Sequence, residues 1–120
     1  MKDYLDKWVD MFSGIGFIVS KWVLPKGKGK ELIPPPYIVL GKDLTSVIYA
    51  DNKPYHITEE ITAMLINELG DSRSEQAVSQ YLWQNGYNFT SAEGYDTAME
   101  VHFREYKWTE TVMYNEDTVY

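Results

Sequence analysis

Leu5, Trp8, Val9 and Phe12 fall at i, i+3, i+4 and i+7, one helical stripe, and predict an amphipathic helix over residues 3–13. Lys2, Asp6, Lys7 and Asp10 take the outward positions. Gly14 and Gly16 supply the stop, because glycine accepts the left-handed backbone that a helix end often needs. Phe17 to Leu24 reads as a strand from its β-branched and aromatic run. Pro34-Pro35-Pro36 excludes helix and favours extended chain. It feeds Tyr37-Ile38-Val39-Leu40, a short apolar run expected to be a strand buried on both faces. Gly41-Lys42-Asp43 reads as a turn and Ser46 to Tyr49 as a second short strand. Asp51-Asn52-Lys53-Pro54 reads as a turn, since Asp and Asn side chains bond their own backbone and proline fixes φ.

Ile57 to Leu69 fits a strand. Ile61, Ala63, Leu65 and Leu69 share one parity, and Thr58, Glu60, Thr62 and Glu68 the other. Met64 and Ile66 interrupt the polar face, so part of it should be covered. The same residues tolerate a helix by propensity, but Pro54 nearby and the threonines at 58 and 62 favour the strand. Ser72-x-x-Glu75 has the form of a capping box opening a helix. Ala77, Val78, Tyr81 and Leu82 give that helix its apolar stripe, and Asn85-Gly86 closes it. Tyr87 to Thr90 reads as a short strand, and Glu93-Gly94 as a turn. Thr97 to Tyr106 alternates, with Thr97, Met99, Val101 and Phe103 expected to face the core. Glu100, His102 and Arg104 would then face water or a partner.

The pattern is that of one α+β domain: a mixed or antiparallel sheet of four to five strands packed by two helices. At 120 residues the chain is the length of a single domain able to bury about two thirds of its unfolded surface. Residues 1–108 are expected to form it, with a basic Gly/Lys loop near 25–31. Residues 109–120 are expected to be an acidic tail, loosely held alone and able to dock on a neighbouring subunit as an arm. No window approaches the ~18 apolar residues of a membrane span. The acids near Met1 do not suit a secretory signal. The expectation is a soluble, intracellular protein with no membrane partner.

Charge and composition narrow the chemistry. There is no cysteine, which excludes disulfides, thiolate metal sites and cysteine nucleophiles. A net charge of −7 argues against a nucleic-acid-binding surface, because phosphate contacts need clustered Lys and Arg. Lys26, Lys28 and Lys30 alternate with glycines but lack the spacing of a phosphate-binding loop. They read as a partner-binding loop. The only acid–base or metal groupings are His56 with Glu59 and Glu60, and His102 with Glu100. Neither has a metal-ligand spacing. No nucleophile elbow or dinucleotide-binding fingerprint occurs. The chain is therefore expected to be no enzyme and to take no metal or cofactor. Aromatics make up 15% of the residues and ten of them are tyrosines, a composition that suits protein interfaces. Trp22, Tyr49, Tyr55, Glu100, His102, Arg104, Trp108 and Tyr114 are the candidate interface residues.

Pro36-Tyr37-Ile38-Val39, Ala50-Asp51-Asn52-Lys53 with Tyr55, Asp71 with Glu75, and Val101, Phe103 and Tyr106 together carry a resemblance. Over roughly residues 34–106 the chain resembles the tail-terminator, or tail-completion, proteins of long-tailed bacteriophages. The resemblance implies a virion assembly protein at the head–tail interface. It implies a ring, six-membered in that family, that caps the tail tube, stops its elongation and presents the surface on which the filled head docks. Its partners would be copies of itself, the tail tube protein and a head-completion or connector protein, with DNA only passing through the lumen. It would be made in the host cytoplasm and end in the virion. The stretch from Ile15 to Leu32 is longer and more basic than the family's pattern implies, and the residues beyond Trp108 have no obvious counterpart in it.

Two rivals differ in what they require. A head-completion adaptor or stopper would more often be an all-β barrel. A small acidic inhibitor of a host nucleic-acid enzyme would concentrate its acids on one face, whereas here they spread through helix ends, turns and tail.

Overall fold

The computed structural model describes residues 2–3, 5–22, 34–50, 53–97, 100–113 and 118–119, with side-chain environments at 5–22, 34–43, 58–97 and 100–110. The chain is α+β. Its elements run β1 (Lys2–Asp3), α1 (Leu5–Gly14), β2 (Ile18–Lys21), β3 (Tyr37–Ala50), β4 (Lys53–Asn67), α2 (Ser72–Gln84), β5 (Thr90–Asp96), β6 (Val101–Met113) and β7 (Thr118–Val119). Five strands form one mixed sheet in the order β2-β3-β4-β6-β5, and β1 pairs with β7 separately. β2 runs parallel to β3, and every other pairing in the main sheet is antiparallel.

Both helices lie on one face of this sheet. Leu5, Trp8 and Phe12 of α1, with Val78 and Leu82 of α2, pack on Ile38, Leu40, Ile61, Ala63, Leu65, Tyr106 and Trp108. Burying each large apolar side chain contributes roughly 1.5–3 kcal/mol. Trp8 centres an aromatic group, its ring 4.8 Å from Trp108 and 4.9 Å from Tyr87, both edge-on. The helical stripe of α1 is as its spacing predicts. Its exit is tied by the Phe17 amide donating to the Phe12 carbonyl at 3.2 Å. Gly16 sits at φ +101°, which a side chain would oppose.

Several local expectations give way to sheet pairing. Gly41-Lys42-Asp43 is not a turn: β3 is continuous, and these residues pair with Thr62, Ile61 and Glu60. The Trp22 ring lies over Gly41, 3.6 Å from where a Cβ would stand. The two short strands are one, bent by register shifts between Leu44 and Ser46 and between Ile48 and Tyr49. Of the turn expected at 51–54, Asp51 and Asn52 lie outside the described residues, while Lys53 and Pro54 open β4. The strand preferred for 57–69 is β4, but it stops at Asn67, and Leu69 is 79% exposed rather than core.

Glu93-Gly94 is likewise strand, inside β5, and Tyr87 to Phe89 precede it without regular structure. β6 continues through Thr109 to Met113, past the domain boundary expected at 108. The N-cap of α2 is Asp71, not Ser72: its side chain accepts from the Ser74 amide at 3.2 Å. Glu75 turns away from the cap toward the sheet.

The largest correction is the parity of β6. His102 and Trp108 are buried and Arg104 half-buried on the helix side, while Val101 and Phe103 point to the other face. Phe103 fits there because its ring lies over Gly94 of β5, where a Cβ would overlap it. Thr97 is exposed, and Met99 lies outside the described residues.

Candidate functional site

Antiparallel pairing sets Asn67 of β4 beside His102 of β6, and His102 beside Tyr95 of β5. Glu93 and Arg104 form the next cross-strand pair. Helix α2 supplies Glu75 above them. These residues close a ring of contacts. The Asn67 amide donates to Glu75 Oε2 at 3.2 Å and to the Asp71 carbonyl at 3.2 Å, which fixes its Oδ1 as the acceptor facing His102 Nδ1 at 2.9 Å. His102 Nε2 meets Glu93 Oε1 at 2.6 Å. Arg104 donates through Nε to Glu75 Oε1 and through Nη1 to Ser91 Oγ, and its Nη2 lies 3.6 Å from Glu93 Oε2.

Each polar group here has its partner within the fold. Both nitrogens of His102 face acceptors, Nδ1 the Asn67 Oδ1 and Nε2 the Glu93 Oε1. The hydrogen bond to Glu75, and then the charges of Glu75 and Glu93, hold the Arg104 guanidinium above its ordinary pKa despite some burial. Tyr106 extends the network: its hydroxyl donates to the Glu75 carbonyl at 2.9 Å and accepts from Ser79 Oγ at 3.3 Å. Burial is the main cause of its raised pKa. Chemically, the cluster ties α2 to three strands.

A second charged group lies further along the same face. Glu59 of β4 stands opposite Glu110 of β6. Lys42 Nζ is 3.7 Å from Glu59 Oε1, with both side chains buried. Lys7 Nζ of α1 approaches Glu110 at 3.9 Å. Neither Glu110 oxygen has a hydrogen-bond donor, and burial pushes its pKa up to about 7.

The sequence-predicted residues scatter. Lys26, Lys28, Lys30 and Tyr114 lie outside the described residues, as do the side chains of Tyr49, Tyr55 and His56. Glu59 and Glu60 are on opposite faces of β4. His102 pairs with Glu93 on the next strand, not with Glu100, which sits at φ +54° ahead of β6. Trp108 is core rather than interface. Trp22 is exposed and sits in the left-handed region at φ +70°, a conformation uncommon for a bulky residue. Sequence reasoning missed Asn67, Glu75 and Glu93. One signal could have corrected the parity: His102, Arg104, Tyr106 and Trp108 alternate in step, so two large aromatics mark the buried face.

Among the described residues no group of three or more His, Asp or Glu is disposed to hold a metal ion, and no helix is long and apolar enough to cross a membrane.

The surface carries a different pattern. The exposed large apolar side chains among the described residues are Ile15, Ile18, Trp22, Leu69, Trp83 and Tyr95. The first three lie at the β2 edge of the sheet. The last three flank β5, the opposite edge. Leu69 and Tyr95 line a cleft of about 290 Å³ with Pro35, Glu100, Val101 and His102. Trp83 stacks on Phe89 with ring centroids 5.3 Å apart, and Phe89 and Thr90 line a second cleft of about 280 Å³ with Lys107 and Trp108. No family model matches the chain, and no curated protein matches it.

Proposed function

We propose that this chain is a non-enzymatic phage virion assembly protein of the tail-terminator type. Copies of it form a closed ring on the end of the tail tube, six-membered as in the resembled family, which stops elongation and offers the head a docking surface. The observation that carries the reading is the division of exposed apolar side chains between two opposite and unlike sheet edges. Two unlike adhesive edges on one subunit make head-to-tail contacts, and such contacts close into rings when the rotation permits.

The polar cluster supports the same reading. His102, Arg104 and Glu75, the groups an acid–base mechanism would draw on, are engaged with one another across α2 and the sheet. In this reading the chain takes no cofactor, and its partners are its own copies, the tube protein and a head-completion protein. The net charge of −7 suits a lumen through which DNA slides, since like charge discourages sticking. The α+β fold fits a terminator better than a β-barrel stopper.

Electron microscopy of lysates of the phage with this gene deleted tests the reading. Overlong, unattached tails beside DNA-filled heads are expected. Normal-length tails joined to heads would overturn it.

A further inference from the structure

Buried polar side chains in folded proteins almost always find a hydrogen-bond partner, so exceptions that gather in one place are informative. Among the described residues, the buried side-chain atoms without such a partner belong to Trp8, Glu59, Trp108 and Glu110. These four sit together. The Trp8 and Trp108 rings are 4.8 Å apart. Glu110 follows Trp108 by two residues on the same face of β6 and stands opposite Glu59. Both Glu110 carboxylate oxygens are without a donor although only 6% of the side chain is exposed. Lys7 Nζ is 3.9 Å away, beyond hydrogen-bond reach, and donates to the Tyr87 hydroxyl.

The backbone beside them has an open side as well. β5 covers β6 only from Val101 to Lys107, whereas β6 runs on to Met113 with β4 along its other side. At Trp108, Thr109 and Glu110 no strand among the described residues lies on the β5 side. Alternate residues of an antiparallel strand turn both N–H and C=O to one side, so this edge offers ladder groups to another strand. It opens into the cleft of about 280 Å³ that Phe89, Thr90, Lys107, Trp108 and Thr109 help to line. We infer that this stretch of β6 binds an extended segment of a partner protein, with a lysine or arginine of that segment opposite Glu110. The inference does not depend on the ring reading.

The edge specifies the chemistry of its occupant. A strand laid antiparallel on β6 continues the line of β5, and each of its residues shares a face with the β6 residue opposite. The residue opposite Glu110 therefore points to the helix side, where the carboxylate has no donor. A basic side chain there supplies a charge-assisted hydrogen bond, about twice as strong as a neutral one. Two residues further along the segment, a side chain comes opposite Trp108, where Phe89 also lines the cleft. An apolar side chain fits that position. The recognition pattern is a basic residue, any residue, then an apolar one, with main-chain bonds giving affinity and side chains giving specificity. The edge strands of the main sheet in a second copy do not supply this pattern. β5 has neither lysine nor arginine, and Lys21 of β2 is held by Asp6 at 2.7 Å. From Trp108 to Met113, β6 itself carries Glu110 as its only charged residue.

Selection of a random dodecapeptide library against the full-length protein tests the inference. An enriched peptide is then synthesised and titrated by fluorescence anisotropy at about pH 8. Enriched peptides should share the basic–x–apolar pattern. Glu110→Gln, with folding checked by circular dichroism, should weaken binding about tenfold or more. Methylating alternate backbone nitrogens of the peptide should abolish binding in one phase and spare it in the other, as a ladder requires. That measurement needs no protein variant. No enriched peptide, enriched peptides without the pattern, or equal binding to Glu110→Gln would overturn the inference. So would dimerisation of the protein alone that protects the amides of Trp108, Thr109 and Glu110 from hydrogen exchange, because the edge would then belong to a second copy.

Discussion

Glu59 and Glu110 stand directly opposite each other on β4 and β6, and both are buried. Like charges in that position destabilise an antiparallel pair. The fold offsets this with Lys42 beside Glu59, and with a Glu110 carboxyl that keeps its proton to about pH 7 because burial disfavours its charge.

That offset makes stability pH-dependent. The folded pKa of Glu110 is raised above its unfolded value, so its neutral form stabilises fully below the ordinary carboxylate range. The contribution is lost as pH rises through about 7. Glu110→Gln should therefore match the parent near pH 5 and exceed it by about 1–2 kcal/mol near pH 8. Urea unfolding across that range checks it; a constant difference would show that Glu110 does not titrate as described.

The His102 network should behave as a unit. His102→Ala leaves the buried Asn67 carbonyl oxygen without its donor and should cost about 2 kcal/mol. Asn67→Ala should cost a similar amount. The double variant should cost less than the sum by about 0.5–3 kcal/mol, the coupling expected of groups sharing one network. Strict additivity in denaturant melts would mean that the two side chains act independently.

Gly94 is held by Phe103. A Cβ at Gly94 would lie 2.8 Å from Cε2 of that ring, so the ring must swing off β5. Gly94→Ala should cost about 1–3 kcal/mol. In a Phe103→Leu background the same substitution should cost markedly less, a comparison thermal melts can make directly.

Asp71 and Ser72 separate two ways of starting α2. With Asp71 as the cap, Asp71→Ala should cost about 1 kcal/mol. Ser72→Ala should cost less than about 0.5 kcal/mol, because Ser72 is already inside the helix. The reverse order would restore the capping box read from Ser72 and Glu75.

Elements with one apolar stripe were legible without the fold. α1 follows from Leu5, Trp8 and Phe12, and α2 from Val78 and Leu82, because a 3.6-residue period needs only one greasy partner to be satisfied. Ile61, Ala63 and Leu65 mark the core face of β4 in the same way. The α+β class and the two-helix, one-sheet architecture follow from those patterns.

The polar face of β6 was not legible. A sequence assigns Glu, His and Arg to water by default. Only pairing with β4, β5 and α2 supplies the partners, Asn67, Glu93 and Glu75, that make burying His102 and half-burying Arg104 tolerable. Turns were misread for a related reason. Gly41 and Gly94 signal breaks locally, yet in the sheet each makes room for an aromatic ring, Trp22 or Phe103.

The amino-acid order alone determined the helices, the core face of β4 and the absence of cysteine chemistry, since these depend on local period and residue type. The tertiary structure decided the strand order, the inward face of β6, the His102–Glu75–Arg104 network and the two unlike apolar edges. Those depend on which distant residues are set side by side, and cross-strand register, with one-residue shifts that reverse every side chain, is a property of the assembled sheet.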